Sequence, residues 1–540
     1  METTDFFSSG FGNALPSETE LENIAGALFG ELGNLSAGNF SFEPEVCAQG
    51  INDLVSTGNT AVFDRAEQKL NQGFEELARY AEVGESYVPQ KSNFEQTSYS
   101  PVVLSQEEAK NFTPSANIAQ NSQKESEKLL HDDSNVIIGT KTLSQIRADF
   151  PILKETINGH PLVWLDNGAT TQRPRQVIDR LSYYYEHENS NVHRGAHELA
   201  ARSTDAYENA RKIVAQFLGA PDSDGVVFVR GTTEGINLVA NAFVKPQLKA
   251  GDEIIVSYLE HHANIVPWQL VAQETGAVLK VIPVDETGQL KLDAYDSLFS
   301  PRTKFVAATH VSNALGTITP VAELVAIAHA HGVRILIDGA QSVAHIPINL
   351  AALDADFFVF SGHKIYAPTG IGAVYGKKDL WEAARPYHGG GNMILDVTFE
   401  RTIYNVVPNK FEAGTGSIAD AVGLGEALQY LQGIGMEAVN AHEHNLLVYA
   451  MREMQKIPGL HLVGNAKDKA SVLSFVLDGV DNESVGARLN ELGVAVRTGH
   501  HCAQPILRHF GLEGTVRPTL ALYNSYNDVD ALVAGIRTLV

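Results

Sequence analysis

Asp354-Ala-Asp-Phe-Phe-Val-Phe-Ser-Gly-His-Lys-Ile-Tyr-Ala-Pro-Thr-Gly370 carries the reading of the whole chain. Phe357 to Phe360 is a short apolar run and predicts a buried strand. It ends in Ser361-Gly-His-Lys364 and a Pro/Gly-rich loop. A lone Lys on a loop is ordinarily a solvated surface residue. At the mouth of a buried strand, flanked by Ser and His, an amine kept partly neutral can instead act as a nucleophile and hold a carbonyl as a Schiff base.

Outward from that stretch, residues 141–540 alternate strand-like runs with helical segments. The runs are Val226–Val229, Glu253–Ser257, Leu279–Pro283, Phe305–Thr309 and Arg334–Asp338. Such alternation predicts an α/β fold with a mostly parallel sheet and covering helices. In open sheets of this kind the site lies at the carboxyl ends of the strands. After Val229 comes Arg230-Gly-Thr-Thr-Glu-Gly-Ile-Asn237, followed by a helix through Asn241. Its Gly-Thr-Thr offers an anion backbone N–H groups and two hydroxyls, though Thr is also an ordinary helix cap. It is not a P-loop, because no Gly-Lys-Ser/Thr follows at the required spacing. After Ser257 comes Glu260-His-His-Ala-Asn-Ile-Val-Pro-Trp268. The His pair lacks a His-Glu-x-x-His pattern or a Cys pair, so no metal site is expected, and an imidazole stacked on a flat ligand suits it better. His310-Val-Ser-Asn313 and Asp338-Gly-Ala-Gln341 follow the next strands. An Asp ending a buried strand is costly unless paired, and a protonated heteroaromatic nitrogen is a suitable partner. Together these groups match pyridoxal 5'-phosphate, which has an aldehyde, a ring nitrogen, a phosphate and a phenolic oxygen.

Composition bounds the alternatives. The chain has 540 residues, enough for several domains, and 44% hydrophobic residues. No apolar run reaches transmembrane length, and Met1-Glu-Thr-Thr-Asp lacks the basic start of a signal peptide. Two cysteines, Cys47 and Cys502, make no disulfide framework, which fits a reducing cytoplasm. A net charge of −24 argues against a nucleic-acid partner. Residues 1–140 hold 22 acidic and 7 basic side chains, against 42 and 33 in the remaining 400. They read as a largely disordered extension with short apolar islands. Ser17-Glu-Thr-Glu20 fits a capping box ahead of Leu21, Ile24, Leu28, Phe29 and Leu32, and a second helical island runs from Val62 to Tyr80. Tyr87-Val-Pro-Gln90 and Tyr99-Ser-Pro-Val-Val-Leu104 are short apolar-aromatic motifs. Helices without a core of their own suit docking to a partner as well as they suit a solvated spacer.

Residues from about 141 onward closely resemble the group II cysteine desulfurases of the SUF type, a family that includes the selenocysteine lyases. The resemblance rests on Arg147-Ala-Asp-Phe-Pro151, Asn191-Val-His-Arg-Gly195, Arg230–Asn237, Glu260–Trp268, Asp338–Gln341, Ser361–Lys364, Phe411-Glu-Ala-Gly-Thr415 and Arg497-Thr-Gly-His-His-Cys502. It implies fold type I of the pyridoxal phosphate enzymes, the class V aminotransferase fold, and a homodimer. The large cofactor-binding domain would span 160–430. Residues 141–159 plus 431–540 would form a smaller α+β domain carrying the Cys loop.

Carried over by position, the resemblance makes Lys364 the cofactor anchor and Asp338 the partner of the ring nitrogen. His261 would stack on the ring, with Gln341 and Asn313 near the phenolic oxygen. Thr232, Thr233, Ser361 and His363 would hold the phosphate, joined by Thr415 of the neighbouring subunit. Arg517 would bind the substrate carboxylate with help from Asn313, and His193, Arg194 and Arg497 would line the pocket. The implied reaction converts L-cysteine to L-alanine and leaves a persulfide on Cys502. Its thiolate would be favoured by His500, His501 and Arg497. Selenocysteine lyase or cysteine sulfinate lyase chemistry is the alternative, and a desulfurase-like scaffold working through residues 1–140 is the non-enzymatic one. The extension resembles the cargo-loading region of desulfurases packaged in encapsulin shells. Docking to a SufE-like sulfur acceptor, or a solubilising tail, is the other reading. Cys47, among acidic neighbours that raise a thiol pKa, reads as incidental.

Overall fold

Phe357-Phe-Val-Phe360 lies inside a seven-stranded sheet. A computed structural model describes residues 133–540 apart from Arg194. The predicted helical islands, the two aromatic motifs, Cys47 and Arg194 therefore lie outside the described residues. The sheet comprises Val226–Val229 (β1), Glu253–Ser257 (β2), Val278–Ile282 (β3), Thr303–Thr309 (β4), Arg334–Asp338 (β5), Phe357–Ser361 (β6) and Gly372–Gly376 (β7). Their order is β1-β7-β6-β5-β4-β2-β3. Pairing is parallel from β6 through β5, β4 and β2 to β3, and β7 runs against both of its neighbours.

The interior position of β6 follows from its composition. Phe357, Phe358, Val359 and Phe360 have no exposed surface, as a strand covered on both faces requires. Burying each such side chain contributes about 1.5–3 kcal/mol. Register sets Asp338 beside Val359, so β6 continues past the end of β5 and delivers Ser361 and then Lys364 above it. The strand Gly372–Gly376 was not anticipated, since Gly at both ends weakens the β signal. The helix after Gly-Thr-Thr runs over Thr232–Leu238 (α2, following Glu198–Phe217, α1) and continues as a π-helix to Val244, three residues beyond the expected Asn241. Ile418–Ile434 (α3) is apolar nearly all round and packs on α1. A Cβ at Gly425 would lie 3.1 Å from the Ala210 Cα, so Gly permits the close approach of these two helices.

A second sheet of four strands comprises Leu460–Val463 (β8), Ser474–Leu477 (β9), Arg497–Gly499 (β10) and Thr515–Arg517 (β11), in the order β8-β9-β11-β10. Antiparallel register pairs Arg497 with Arg517 and Gly499 with Thr515. The described fold starts before Lys141: Asp133 accepts hydrogen bonds from the backbone N–H groups of Tyr526 (3.3 Å) and Asn527 (3.1 Å) at the start of the last helix. Among the described residues no helix is long and apolar enough to cross a membrane, and no cluster of His, Cys, Asp or Glu could hold a metal ion.

Candidate active site

The strand ends converge on a cavity of about 280 Å³. Thr232, Thr233, His261, Asn313, Asp338, Gln341, Ser361, His363, Lys364, Arg497, Cys502 and Arg517 all line it. At the β1–α2 junction Gly231 has φ +152°, and a Cβ there would meet the Ser361 Oγ at 3.0 Å. The glycine lets the chain pass against the end of β6. The Thr232 N–H donates to Ser361 Oγ (2.8 Å), and the two hydroxyls are 2.9 Å apart. Hydroxyls of Thr232, Thr233 and Ser361 thus gather at the start of a helix, an arrangement suited to an anion.

On the cavity floor, burial lowers the Lys364 pKa to about 8. The Asp338 charge works against that shift, and Arg517 adds to it. About a tenth of this amine is neutral at pH 7, against well under a thousandth for an ordinary Lys. Burial pushes Asp338 upward, countered by the Ala340 N–H (2.9 Å to Oδ1) and by Lys364. A cationic ring nitrogen beside this carboxylate would supply the missing compensation. His261 Nδ1 accepts the Ala263 N–H at 3.0 Å, so its ring proton sits on Nε2. Burial first, then the Lys364 charge, lower its pKa to about 3, and it is a neutral imidazole. Arg517 is buried, and burial lowers its pKa to about 10, so it stays cationic. Its Nη1 donates to the Asn313 carbonyl (2.9 Å), and Nη2 lies 3.5 Å from Asp166 Oδ1. Arg517 Nε and Asn313 Oδ1 are buried polar atoms without a partner among the described residues. Such atoms mark where a polar ligand completes the site.

The wall opposite is the loop after β10. His501 (φ 52°) and Cys502 (φ 55°) both adopt the left-handed region. For residues other than Gly that conformation is strained and persists only when the surroundings impose it. Four hydrogen bonds do so. The His262 N–H donates to the Cys502 carbonyl (2.8 Å), and the Cys502 N–H donates to His500 Nδ1 (3.0 Å). Asn313 Nδ2 donates to the His501 carbonyl (2.6 Å), and His501 Nε2 bonds Thr515 Oγ1 (2.8 Å). They hold a free, partly buried Cys502 in the wall of the cavity.

Two predicted residues lie elsewhere. His193 is exposed, bonds Glu208 (2.9 Å) and does not line this cavity of its own chain. Thr415 is exposed beside a separate hollow and accepts from Asn191 Nδ2 (3.3 Å). In sequence, Asn167-Gly-Ala-Thr-Thr171 stands out only as a mild departure from the usual Ser/Asn-Ala-Ala-Thr/Ser pattern, with no role for the loop 166–171. Its Thr170 Oγ1 (2.9 Å) and Thr171 N–H (3.0 Å) donate to the His363 carbonyl, and Thr171 Oγ1 accepts the Tyr366 N–H (2.7 Å). Asn167-Gly-Ala-Thr-Thr171 thus clamps the Lys364 turn, which its small and hydroxylated residues could have signalled.

The aminotransferase class-V family matches residues 163–532. A cysteine desulfurase of Synechococcus elongatus is 61% identical over 397 residues, which is 74% of this chain and 63% of that protein. The chain thus spans under two thirds of that relative's length. A probable cysteine desulfurase of Vibrio cholerae is 48% identical over 74% of this chain and 98% of its own length. The crystal structure of the cysteine desulfurase CsdA (S-sulfonic acid) from Escherichia coli superposes with a TM-score of 0.69 at 40% identity, covering 74% of this chain and 98% of that one.

Proposed function

The chain belongs to the aminotransferase class-V family, and within it we propose that it acts as a cysteine desulfurase of the SUF type. One observation carries this: Lys364, Asp338 and the hydroxyl cradle share a single cavity with Cys502. The family depends on pyridoxal 5'-phosphate, and the site fits it. Lys364 would anchor its aldehyde, Asp338 would meet its ring nitrogen, and Thr232, Thr233, Ser361 and His363 would meet its phosphate. His261 would lie on the ring, with Gln341 and Asn313 near the phenolic oxygen. The bound cofactor supplies an electron sink that makes the substrate Cα–H acidic.

The chain's own residues do the rest. The Arg517 guanidinium binds the substrate carboxylate, leaving the unpartnered Asn313 Oδ1 to accept from the substrate. The Lys364 amine, with its lowered pKa, takes the Cα proton. His261, lining the cavity, keeps a proton on Nε2 and would present it to the bound substrate. Cys502 Sγ attacks the sulfur of L-cysteine: the substrate C–S bond breaks, an S–S bond forms, and alanine leaves with a proton at Cβ. Cys502 retains the persulfide. Arg497 lines the same cavity and supports the thiolate. The test is the purified protein incubated with L-cysteine. Alanine and a 32-Da sulfur adduct on Cys502, the mass of the atom itself, are expected. Alanine formation undiminished in Cys502→Ala would reject the reading.

The exposed Thr415 and the apolar hairpin Ile394–Val397/Thr402–Tyr404, with Leu395, Val397 and Phe399 uncovered, support a homodimer in which Thr415 reaches the neighbour's phosphate. His193 is proposed to face that neighbouring site. The acidic composition and short apolar motifs of residues 1–140 support a docking role, with an encapsulin shell as the first partner and a SufE-like acceptor as the second. Because Asp133 is bonded to the last helix, the truncation that tests this removes residues 1–132. Loss of shell co-purification with turnover retained is expected; unchanged co-purification rejects it.

A further inference from the structure

The turn Glu260–Asn264 touches both halves of the site. Its His261 ring lines the cavity, and its His262 N–H donates to the Cys502 carbonyl at 2.8 Å. Beneath it sits Glu260, with no exposed surface and no cationic partner among the described residues. Its Oε1 accepts from Ser257 Oγ (2.5 Å) at the end of β2 and from the Thr309 N–H (2.9 Å) at the end of β4. Its Oε2 accepts from Asn264 Nδ2 (2.6 Å), whose own Oδ1 accepts the Trp268 indole N–H (2.9 Å). Burial without a cationic partner pushes its pKa up to about 8, and the carboxyl group joins two strand ends to one turn.

We infer that Glu260 is a positioning residue that sets the His261 ring and the Cys502 loop together, through the single turn it anchors. The inference rests on the desulfurase reading only for what His261 and Cys502 then do. The polarity of the network makes it testable. In Glu260→Gln, whichever way the amide is turned, an N–H faces another donor: Asn264 Nδ2 in one orientation, the Thr309 N–H in the other. Asn264 cannot flip to help, because its Oδ1 already serves Trp268. In Asn264→Asp two carboxyl groups face each other and the hydrogen bond from Asn264 Nδ2 is lost. In the double variant Glu260→Gln/Asn264→Asp, the new amide oxygen keeps Ser257 and Thr309. Its NH₂ donates to the carboxylate introduced in place of Asn264, which still accepts from Trp268.

The experiment measures two quantities in the full chain, alongside its melting temperature. One is the affinity for added pyridoxal phosphate, read from its absorbance. The other is the iodoacetamide alkylation rate of Cys502 in the cofactor-loaded protein. Glu260→Gln should weaken cofactor binding by about tenfold and change alkylation by about threefold or more, the scale of one or two lost buried hydrogen bonds. The double variant should return both to wild type. A merely structural residue would lower the melting temperature and leave both readouts in place, and that result overturns the inference. A double variant that fails to fold, or folds without restoring both, also overturns it. Should the wild-type chain bind no cofactor, the functional reading fails instead, and the alkylation rate of Cys502 measured in the cofactor-free protein decides whether Glu260 sets the Cys502 loop.

Discussion

The two sides of the cavity are built on opposite terms. The floor that holds Lys364 and Asp338 grows from neighbouring parallel strands, β5 and β6, whose apolar residues have essentially no exposed surface. The wall that holds Cys502 follows a three-residue strand, runs through two left-handed residues, and is kept in place by single hydrogen bonds. Each such bond is worth about 0.5–1.5 kcal/mol net, and each left-handed residue costs about 1–3 kcal/mol. A loop so poised can leave the cavity by a local opening, while moving the floor means unpacking the sheet. That is the division the proposed desulfurase reaction would need. In it the amine that anchors the cofactor would have to stay fixed, and the thiol that hands sulfur onward would have to move.

The largest effects should separate the two sides cleanly. Lys364→Ala removes the anchor and the base together. Turnover should fall by at least about a thousandfold, and the absorbance of the covalently held cofactor should be lost. Cys502→Ala should abolish sulfur transfer just as fully and keep that absorbance unchanged. A Cys502→Ala protein that had also lost the cofactor would mean the wall supports the floor, and the division would be wrong.

A smaller effect tests the electrostatics of the floor. The cofactor aldehyde reacts with the unprotonated amine, so reconstitution of the cofactor-free chain should speed up about tenfold per pH unit on the acid side. It should level off near the Lys364 value of about 8, well below an ordinary Lys. The Asp338 charge raises that value. Asp338→Asn should therefore move the midpoint to lower pH by about 1 unit, making more neutral amine available at pH 6.5. The normalised rate profile by stopped-flow absorbance is the measurement. A midpoint unmoved, or moved to higher pH, would show that Asp338 does not set the charge state of the amine.

The two sides also differ in how far they can be read from sequence. The floor is legible because its strands are continuous apolar runs and its chemical residues follow each run directly, so Lys364, Asp338, Asn313 and His261 could all be placed. Cys502 could be named from its polar Gly-His-His-Cys loop. Its geometry could not, because left-handed φ at His501 and Cys502 comes from tertiary hydrogen bonds rather than from any Gly signal. Glu260 sits in a stretch that stood out for its histidines, yet its partners Thr309 and Trp268 become neighbours only in the folded sheet. The antiparallel strand Gly372–Gly376 escaped notice for a local reason, Gly at both ends. The attachment of Asp133 to the last helix was equally out of reach, since its hydrogen bonds come from Tyr526 and Asn527, almost four hundred residues away in sequence.

The smallest effect is the finest probe of the division. His500 is exposed, and its Nδ1 accepts the Cys502 N–H at 3.0 Å. Its ring stacks on His262 (centroids 5.9 Å apart) rather than in the core, so His500→Leu should leave the melting temperature and the cofactor affinity alone. What it removes is that stack and one of the bonds that hold the strained loop. Cys502 should then spend more time out of the cavity and alkylate about two- to tenfold faster, the range set by one net hydrogen bond. His500→Asn places an amide oxygen close to where Nδ1 sits, so it should restore the wild-type rate without restoring the imidazole. That pair distinguishes a geometric hold on the loop from an acid–base role of His500 toward the thiol, since Asn can do the first and not the second. If Asn behaves like Leu, the imidazole itself matters, through its stack on His262 or its acid–base chemistry, and the loop is not held by this bond. If either variant lowers cofactor affinity, the wall and the floor are one cooperative unit.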